Sequence, residues 1–318
     1  MKNIGYGQLS IISGNSNIPL AESICDHLGV TLGDTEVKHF KDGEINLNIG
    51  NSARGADVFV IQPTSTPVND NLMELLILID ALKRASAGRI NAVVPYYGYA
   101  RQDRKTKARE PITAKLVADL LTVAGADRVV TMDLHAGQIQ GYFNIPVDHL
   151  SALEKLSNYF KEYVKEDPDF VVVSPDLGGV TRTRKFANYL KLPIAIIEKL
   201  RPRPNENEVM NVIGDIEGKN VILVDDIIDT GGTICKAAEV LAKRGAKKVY
   251  GAATHGVLSD NAVQRIQDSV IEEFVITDTI NQPEENKQDK IKIVTVGDLI
   301  AQAIDRIHNN ESISVIFG

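Results

Sequence analysis

Two adjacent carboxylates, Asp225 and Asp226, directly follow the apolar run Val221-Ile222-Leu223-Val224, and Asp229-Thr230-Gly231-Gly232-Thr233 comes a few residues later. The apolar run, with three β-branched residues, reads as a buried parallel strand. Its carboxyl end is where open α/β sheets bind ligands. Small side chains, hydroxyls and backbone N–H groups then form an anion cradle, and a helix starts behind it with Ile234, Ala237, Ala238 and Leu241 on one face. Carboxylates beside a phosphate cradle suit the vicinal hydroxyls of a sugar and a Mg²⁺ that bridges to phosphate. A plain strand-turn-helix with solvated acids would not need acids, glycines and hydroxyls at one junction.

Other constellations carry related chemistry. His135, in Asp133-Leu134-His135-Ala136, sits in a strand-to-helix turn. It is either a structural histidine or one within reach of Mg²⁺ or a nucleotide phosphate, and spacing alone does not choose. Ser174-Pro175-Asp176-Leu177-Gly178-Gly179 repeats the design of a carboxylate ending a strand before paired glycines. Two such strand ends facing each other across a cleft would hold one metal. The stretch 95–111 is too long for a plain connector and carries Arg101, Arg104, Lys105, Lys107 and Arg109 against Asp103 and Glu110. It is a polyphosphate site or a solvated basic face. Tyr96, Tyr97 and Tyr99 border a base or pack the loop. Lys199-Leu200-Arg201-Pro202-Arg203-Pro204 leaves a strand with no apolar period. Lys and Arg on such a loop stabilise a reacting phosphoryl group, or else belong to a basic linker.

The elements that must hold these groups alternate along the whole chain. Asp57-Val58-Phe59-Val60-Ile61, a helix with Leu72, Leu75, Leu76 and Ile79, Ile90-Asn91-Ala92-Val93-Val94, a helix over 114–122 and Arg128-Val129-Val130-Thr131-Met132 form a βαβ series. The pattern pauses at 148–151 and restarts with Phe170-Val171-Val172-Val173, a helix over 182–190, Ile194-Ala195-Ile196-Ile197, the acidic strand and Lys248-Val249-Tyr250-Gly251-Ala252. This predicts an α/β protein of two doubly wound parallel-sheet domains, 1–150 and 151–318. Residues 51–64 echo 218–229 without the acids, a faint internal repeat with one degenerate ligand loop. Ser312-Ile313-Ser314-Val315-Ile316-Phe317 reads as a strand-like tail free to pair back onto the first half. No apolar run approaches membrane-spanning length, no signal-like segment opens the chain, and a net charge of −7 argues against general nucleic-acid binding. Cys25 and Cys235 lack metal-ligand spacing. A soluble cytoplasmic protein is expected.

Asn69-Asp70-Asn71-Leu72-Met73-Glu74-Leu75-Leu76, Tyr99-Ala100-Arg101-Gln102-Asp103-Arg104, Asp133-Leu134-His135-Ala136 with Gln138-Ile139-Gln140-Gly141, the acidic loop and Glu311-Ser312-Ile313-Ser314 occur in this order. Together they resemble the ribose-phosphate pyrophosphokinases of the phosphate-activated, Mg²⁺-dependent class. The acidic loop alone is similar to the phosphoribosyl pyrophosphate (PRPP) motif shared with phosphoribosyltransferases. The resemblance spans essentially the whole chain and implies two domains of phosphoribosyltransferase type. It implies transfer of a diphosphoryl group from MgATP to ribose 5-phosphate in a cytoplasmic homo-hexamer under allosteric control.

By the same resemblance, Phe40, Asp42 and Glu44 match an adenine-binding hairpin lent by a neighbouring subunit, while Arg101, Gln102 and His135 match ATP contacts. His135 and Asp176 match Mg²⁺ ligands. Asp225, Asp226, Asp229, Thr230, Gly231, Gly232 and Thr233 match the ribose 5-phosphate loop, and Lys199 and Arg201 the catalytic loop. Ser52, Arg54, Ser312, Ser314 and Phe317 match a regulatory site for phosphate or ADP. Leu200, where many relatives carry Arg, and Gly137, where some carry a serine or a bulkier residue, depart from the pattern. Two rival readings are a phosphoribosyltransferase, which would not need the duplicated first half, and a catalytically silent associated subunit, which would be expected to lose the loop cations.

Overall fold

The computed structural model describes residues 6–200 and 209–316, and the chain divides into two compact units. The first runs to Ser151 and also takes in Thr279–Asn281 and the stretch from Thr295 onward. In it β1 (Leu9–Ser13) leads through α1 (Ile18–Leu28) to an antiparallel pair, β2 (Thr35–His39) and β3 (Ile45–Ile49). Then come β4 (Asp57–Ile61), α2 (Val68–Arg84), β5 (Arg89–Val94), α3 (Thr113–Ala124), β6 (Arg128–Met132) and β7 (Val147–Leu150). β1, β4, β5, β6 and β7 form a parallel sheet in that spatial order.

Both faces of this sheet are covered. Val58, Val60, Ala92, Val94 and Val129 join one core with Leu75, Leu78, Ile79 and Leu82 of α2 and Val117 and Leu121 of α3. The alternate residues Phe59, Ile61 and Val93 are equally buried on the other face. α1 begins where Asn17 Oδ1 accepts from Leu20 N (3.2 Å) and stops at Gly29, whose φ of 67° is open to glycine at little cost.

The second unit holds α4 (Leu153–Tyr159), α5 (Lys161–Glu166), β8 (Phe170–Ser174), α6 (Val180–Leu190), β9 (Ile194–Leu200) and β10 (Val209–Ile213). It continues through β11 (Asn220–Ile228), α7 (Gly232–Lys243), β12 (Lys248–Gly256), α8 (Ala262–Asp268), β13 (Ile271–Thr277) and β14 (Ile291–Val294). Its sheet order is β10-β9-β8-β11-β12-β13-β14, parallel except for β10. The order reverses between β8 and β11. Such a switch point opens a crevice beyond the carboxyl ends of the two strands. α9 (Gly297–His308) then packs on α1 in the first unit.

Three sequence expectations change. The apparent pause at 148–151 contains β7, whose polar residues are taken up by Arg128, paired with Asp148, and by His149 Nε2, which accepts from Leu134 N at 2.8 Å. β11 does not end before its acids but runs on to Ile228, so Asp225 and Asp226 lie within the strand. The tail is a 3-10 turn over Ile313–Ile316 and no strand, because the Ser312 and Ser314 hydroxyls bond to each other (2.7 Å) and Ser314 N donates to Ser312 Oγ (3.3 Å). Local serine bonds of this kind compete with a sheet ladder.

Candidate active site

The acid pair stands at the switch point. β8 pairs with β11 only as far as Val173 opposite Leu223, so Asp225 and Asp226 project the strand past the end of β8. Arg182, in the first turn of α6, grips both: Nη1 lies 2.8 Å from Asp225 Oδ1 and Nη2 lies 2.9 Å from Asp226 Oδ1. Asp226 N also donates to Asp225 Oδ1 at 2.9 Å. Burial, and after it the neighbouring Asp226, push the Asp225 carboxyl above its ordinary value, with Arg182 opposing. One guanidinium thus holds two crowded carboxylates together, so that each can accept from hydroxyls.

Beyond the strand, Gly231 turns with φ of 73° and α7 opens with no side-chain cap. Its first intrahelical bond runs from Cys235 N to Gly231 O (3.0 Å), which leaves the earlier N–H groups for water or an anion. Thr230 and Thr233 are exposed beside it and Asp229 is half-buried. Arg265 Nη1 donates to Thr230 O, and Ser259 N donates to Asp229 O (3.1 Å), which holds the loop from the α8 side. On the other side of the crevice, Asp176 Oδ1 accepts from Gly179 N (2.9 Å) and Ser174 Oγ donates to Asp176 O (2.6 Å). An added Cβ on Gly179 would lie 2.8 Å from Ser174 Oγ, so the turn has no room for a side chain there.

In the first unit, Pro67, Val68, Asn69, Asp70, Tyr96, Tyr99, Arg101 and Gln102 line a pocket of about 400 Å³. The three tyrosines of this stretch are placed differently. Tyr97 packs, with its hydroxyl donating to Ala114 O (2.9 Å) and its ring edge-on to Phe143, whereas Tyr96 and Tyr99 line the pocket. The pocket adjoins the loop between β4 and α2 through Pro67.

The basic loop keeps its shape through its two acids. Buried Asp103 accepts from Gln138 Nε2 (2.7 Å) and, through its carbonyl, from the Tyr142 hydroxyl. Glu110 accepts from Thr106 N, Thr106 Oγ1 and Lys107 N, each at 2.8 Å. The acids therefore brace the backbone while Arg101, Arg104, Lys105, Lys107 and Arg109 face solvent. The Asp103 bonds also tie this loop to the turn that carries exposed His135.

Phe40 stands at the tip of the β2–β3 hairpin, 54% exposed, in a turn closed by Phe40 N to Glu44 O (2.8 Å) and Glu44 N to Asp42 Oδ1 (3.1 Å). Ser52 and Arg54 are exposed, and Arg306 Nη1 donates to Ser312 O at 3.2 Å. Among the described residues no hydrogen bond or ion pair joins these two groups. The backbone of Lys199 pairs with Met210 of β10; Arg201 and Phe317 lie outside the described residues. Also among the described residues, no three His, Cys, Asp or Glu side chains form a metal cage. Sequence reasoning missed Arg182. Its signal, a cation in the first helical turn after Gly178-Gly179, becomes readable only once β8 and β11 are known to be neighbours.

Residues 9–125 match the family described as the N-terminal domain of ribose phosphate pyrophosphokinase, and residues 200–318 match the phosphoribosyl synthetase-associated domain. The ribose-phosphate pyrophosphokinase of Caldanaerobacter subterraneus is 63% identical over 97% of this chain and 98% of its own length. The chain belongs to the ribose-phosphate pyrophosphokinase family. A second family member, from Fusobacterium nucleatum, is 58% identical over 99% of both chains. The crystal structure of phosphoribosylpyrophosphate synthetase from Mycobacterium smegmatis superposes with a TM-score of 0.91 at 44% identity, covering 95% of this chain and 99% of that one. The two sheets are thus those of a ribose-phosphate pyrophosphokinase.

Proposed function

We propose that this chain is a ribose-phosphate diphosphokinase whose anomeric-hydroxyl substrate sits on the Asp225–Thr233 loop and whose nucleotide sits by Arg101, Gln102 and His135. The observation that carries the reading is the Arg182-held acid pair at a switch point, followed by an uncapped helix N-terminus. Asp225, Asp226 and Asp229 accept from ribose hydroxyls, while Thr230, Gly231, Gly232 and Thr233 take the 5-phosphate. The anomeric hydroxyl of ribose 5-phosphate attacks the β-phosphorus of ATP in line; the bond to the α-phosphate oxygen breaks, AMP leaves, and PRPP forms. The product feeds purine, pyrimidine, histidine and NAD synthesis. The protein's work is positioning and charge neutralisation. Arg101 and Gln102 hold the nucleotide, and Lys199 and Arg201 supply positive charge to the transferring group.

Asp176 offers Mg²⁺ a hard carboxylate at its crevice, whereas His135 is proposed as a Mg²⁺ ligand from the family resemblance alone, since imidazole is not a donor that Mg²⁺ favours. Bound there, Mg²⁺ neutralises polyphosphate charge. No general base is assigned. Ser52, Arg54, Ser312, Ser314 and Phe317 are proposed to bind activating phosphate or inhibitory ADP.

The proposal extends to a homo-hexamer. Leu116, Leu120 and Val123 lie exposed at helical spacing on α3, with Ile112 beside them, an apolar stripe of the kind that a second copy covers. Among the described residues no helix is long and apolar enough to cross a membrane, and the two free, buried cysteines fit the reducing cytoplasm. The test is AMP release from ATP plus ribose 5-phosphate with Mg²⁺ and phosphate. Activity only with PRPP and a nucleobase would indicate a phosphoribosyltransferase, and no turnover in either assay a silent subunit.

A further inference from the structure

A hairpin that presents a ring to a ligand needs something to aim it. β2 and β3 pair only with each other, so neither main sheet fixes their direction. β3 is anchored by Leu47 and Ile49, which pack on the first core. β2 is held differently: Val37 O accepts from Asn15 Nδ2 at 3.1 Å, three residues before Phe40. Asn15 belongs to the loop after β1 and is itself clamped by Glu74 of α2. Glu74 accepts from Asn15 N, from Asn15 Nδ2 (3.4 Å) and from Gln62 Nε2 (3.0 Å). Gln62 Oε1 in turn accepts from Ser16 Oγ (2.6 Å) and Ser16 N (3.2 Å).

Glu74 is only 3% exposed. A buried carboxylate is costly unless donors surround it, and here the donors come from the loop that reaches the hairpin. The loop is closed down on the acid, since a Cβ on Gly14 would collide with both Glu74 and Gln62. Loop stability alone accounts for the Asn15 backbone bond. It does not account for the exposed Asn15 side chain spanning from Glu74 to Val37.

We propose that Asn15, held by Glu74, is a positioning residue for the nucleotide: the Glu74–Asn15–Val37 hydrogen bonds aim the hairpin, and with it the Phe40 ring and the exposed acids Asp42 and Glu44, whose carboxylates accept from an adenine amino group and repel the carbonyl that guanine carries there, so that the site discriminates adenine from guanine. The inference rests on the reading of the Phe40 hairpin as a base contact. Asn15→Ala removes one side-chain link at an exposed position and leaves Glu74 its other donors, so the fold survives.

The test compares Asn15→Ala, Phe40→Ala and the double variant in the full-length enzyme, with ATP and GTP as substrates. Losing one aiming hydrogen bond should raise the KM for ATP about fivefold and shrink the ATP-over-GTP preference by a similar factor. The KM for ribose 5-phosphate, kcat with saturating ATP and the thermal midpoint should stay at their wild-type values. Because Asn15 acts through Phe40, the double variant should match Phe40→Ala rather than multiply the two effects. If Phe40→Ala changes neither KM nor base preference, the hairpin reading fails and takes this inference with it. If Phe40→Ala has its effect but Asn15→Ala has none, or if the two effects multiply, the aiming role alone is overturned.

Discussion

Arg182 decides how the acid pair behaves, because no other side chain is seen to bridge both carboxylates among the described residues. Without it, Asp225 keeps its burial and its neighbour Asp226, both of which already lift its pKa. Arg182→Ala should therefore leave Asp225 protonated over a wider pH range. A protonated carboxyl accepts hydroxyls poorly, so the KM for ribose 5-phosphate should rise about tenfold, the cost of one charge-assisted contact. The loss should be worst at low pH and partly recovered at high pH, with the KM for ATP little changed. The sign for stability is opposite. Asp225's raised folded pKa gives a contribution fully present below its unfolded value of 3.8 and lost as pH rises through the folded one. A ribose 5-phosphate KM in Arg182→Ala that ignores pH would refute this account. The acids and glycines of the loop were legible from their types and spacing, but Arg182 was not. Forty-three positions separate it from Asp225, and only the order of strands joins them.

At the scale of elements, the amino ends of β4 and β5 are locked by a network remote in sequence. Asp57 is fully buried and accepts from Arg89 Nε (2.7 Å), Arg89 Nη2 (2.6 Å) and Asn91 Nδ2 (2.9 Å), and His308 Nδ1 lies 2.8 Å away. Arg89 Nη2 also donates to Ile307 O at 3.1 Å, so the end of α9 is fastened to the sheet. Burial works to raise the Asp57 pKa, but the bonds from Arg89, His308 and Asn91 prevail and hold it below the ordinary value. Arg89→Ala should cost about 3–5 kcal/mol by leaving a buried charge short of its partner, read as a lower urea midpoint. With a lowered folded pKa, the Asp57 contribution is present above its unfolded value of 3.8 and lost as pH falls through the folded one. Wild type should thus lose its margin over Arg89→Ala in acid. An equal margin at neutral and acid pH would show that packing, not charge, holds α9. The central strands were legible because both faces are apolar. β7 was not, since its Asp148 and His149 look like loop residues until Arg128 and Leu134 N are seen to take them up. The tail misled in the opposite sense, its alternating Ser and Ile imitating a strand while the serines bond locally.

At the scale of the whole molecule, the exposed ring of Phe40 and the apolar stripe of α3 ask for partners that the described residues of one chain do not supply to either. A base stacked on Phe40 answers the first and a second copy of the chain the second. If both answers hold, the hairpin of one subunit serves a site whose cations belong to another, and defects in the two parts can be separated. One preparation carries Phe40→Ala with Glu44→Ala; a second carries Lys199→Ala with Arg201→Ala. Each should be nearly inactive alone. The loss of transition-state cations in the second should appear in kcat, on the order of 3 kcal/mol or more per lost contact. After dissociation and reassembly together, some sites combine an intact hairpin with an intact loop from different chains. Random equal mixing leaves about one site in four with neither defect, so activity should return to roughly that fraction of wild type, a share that follows from symmetric assembly. The matching fraction with both defects stays silent. Verified mixed oligomers without recovery would place hairpin and loop in the same chain's site, and a monomer active at high dilution would remove the need for a partner.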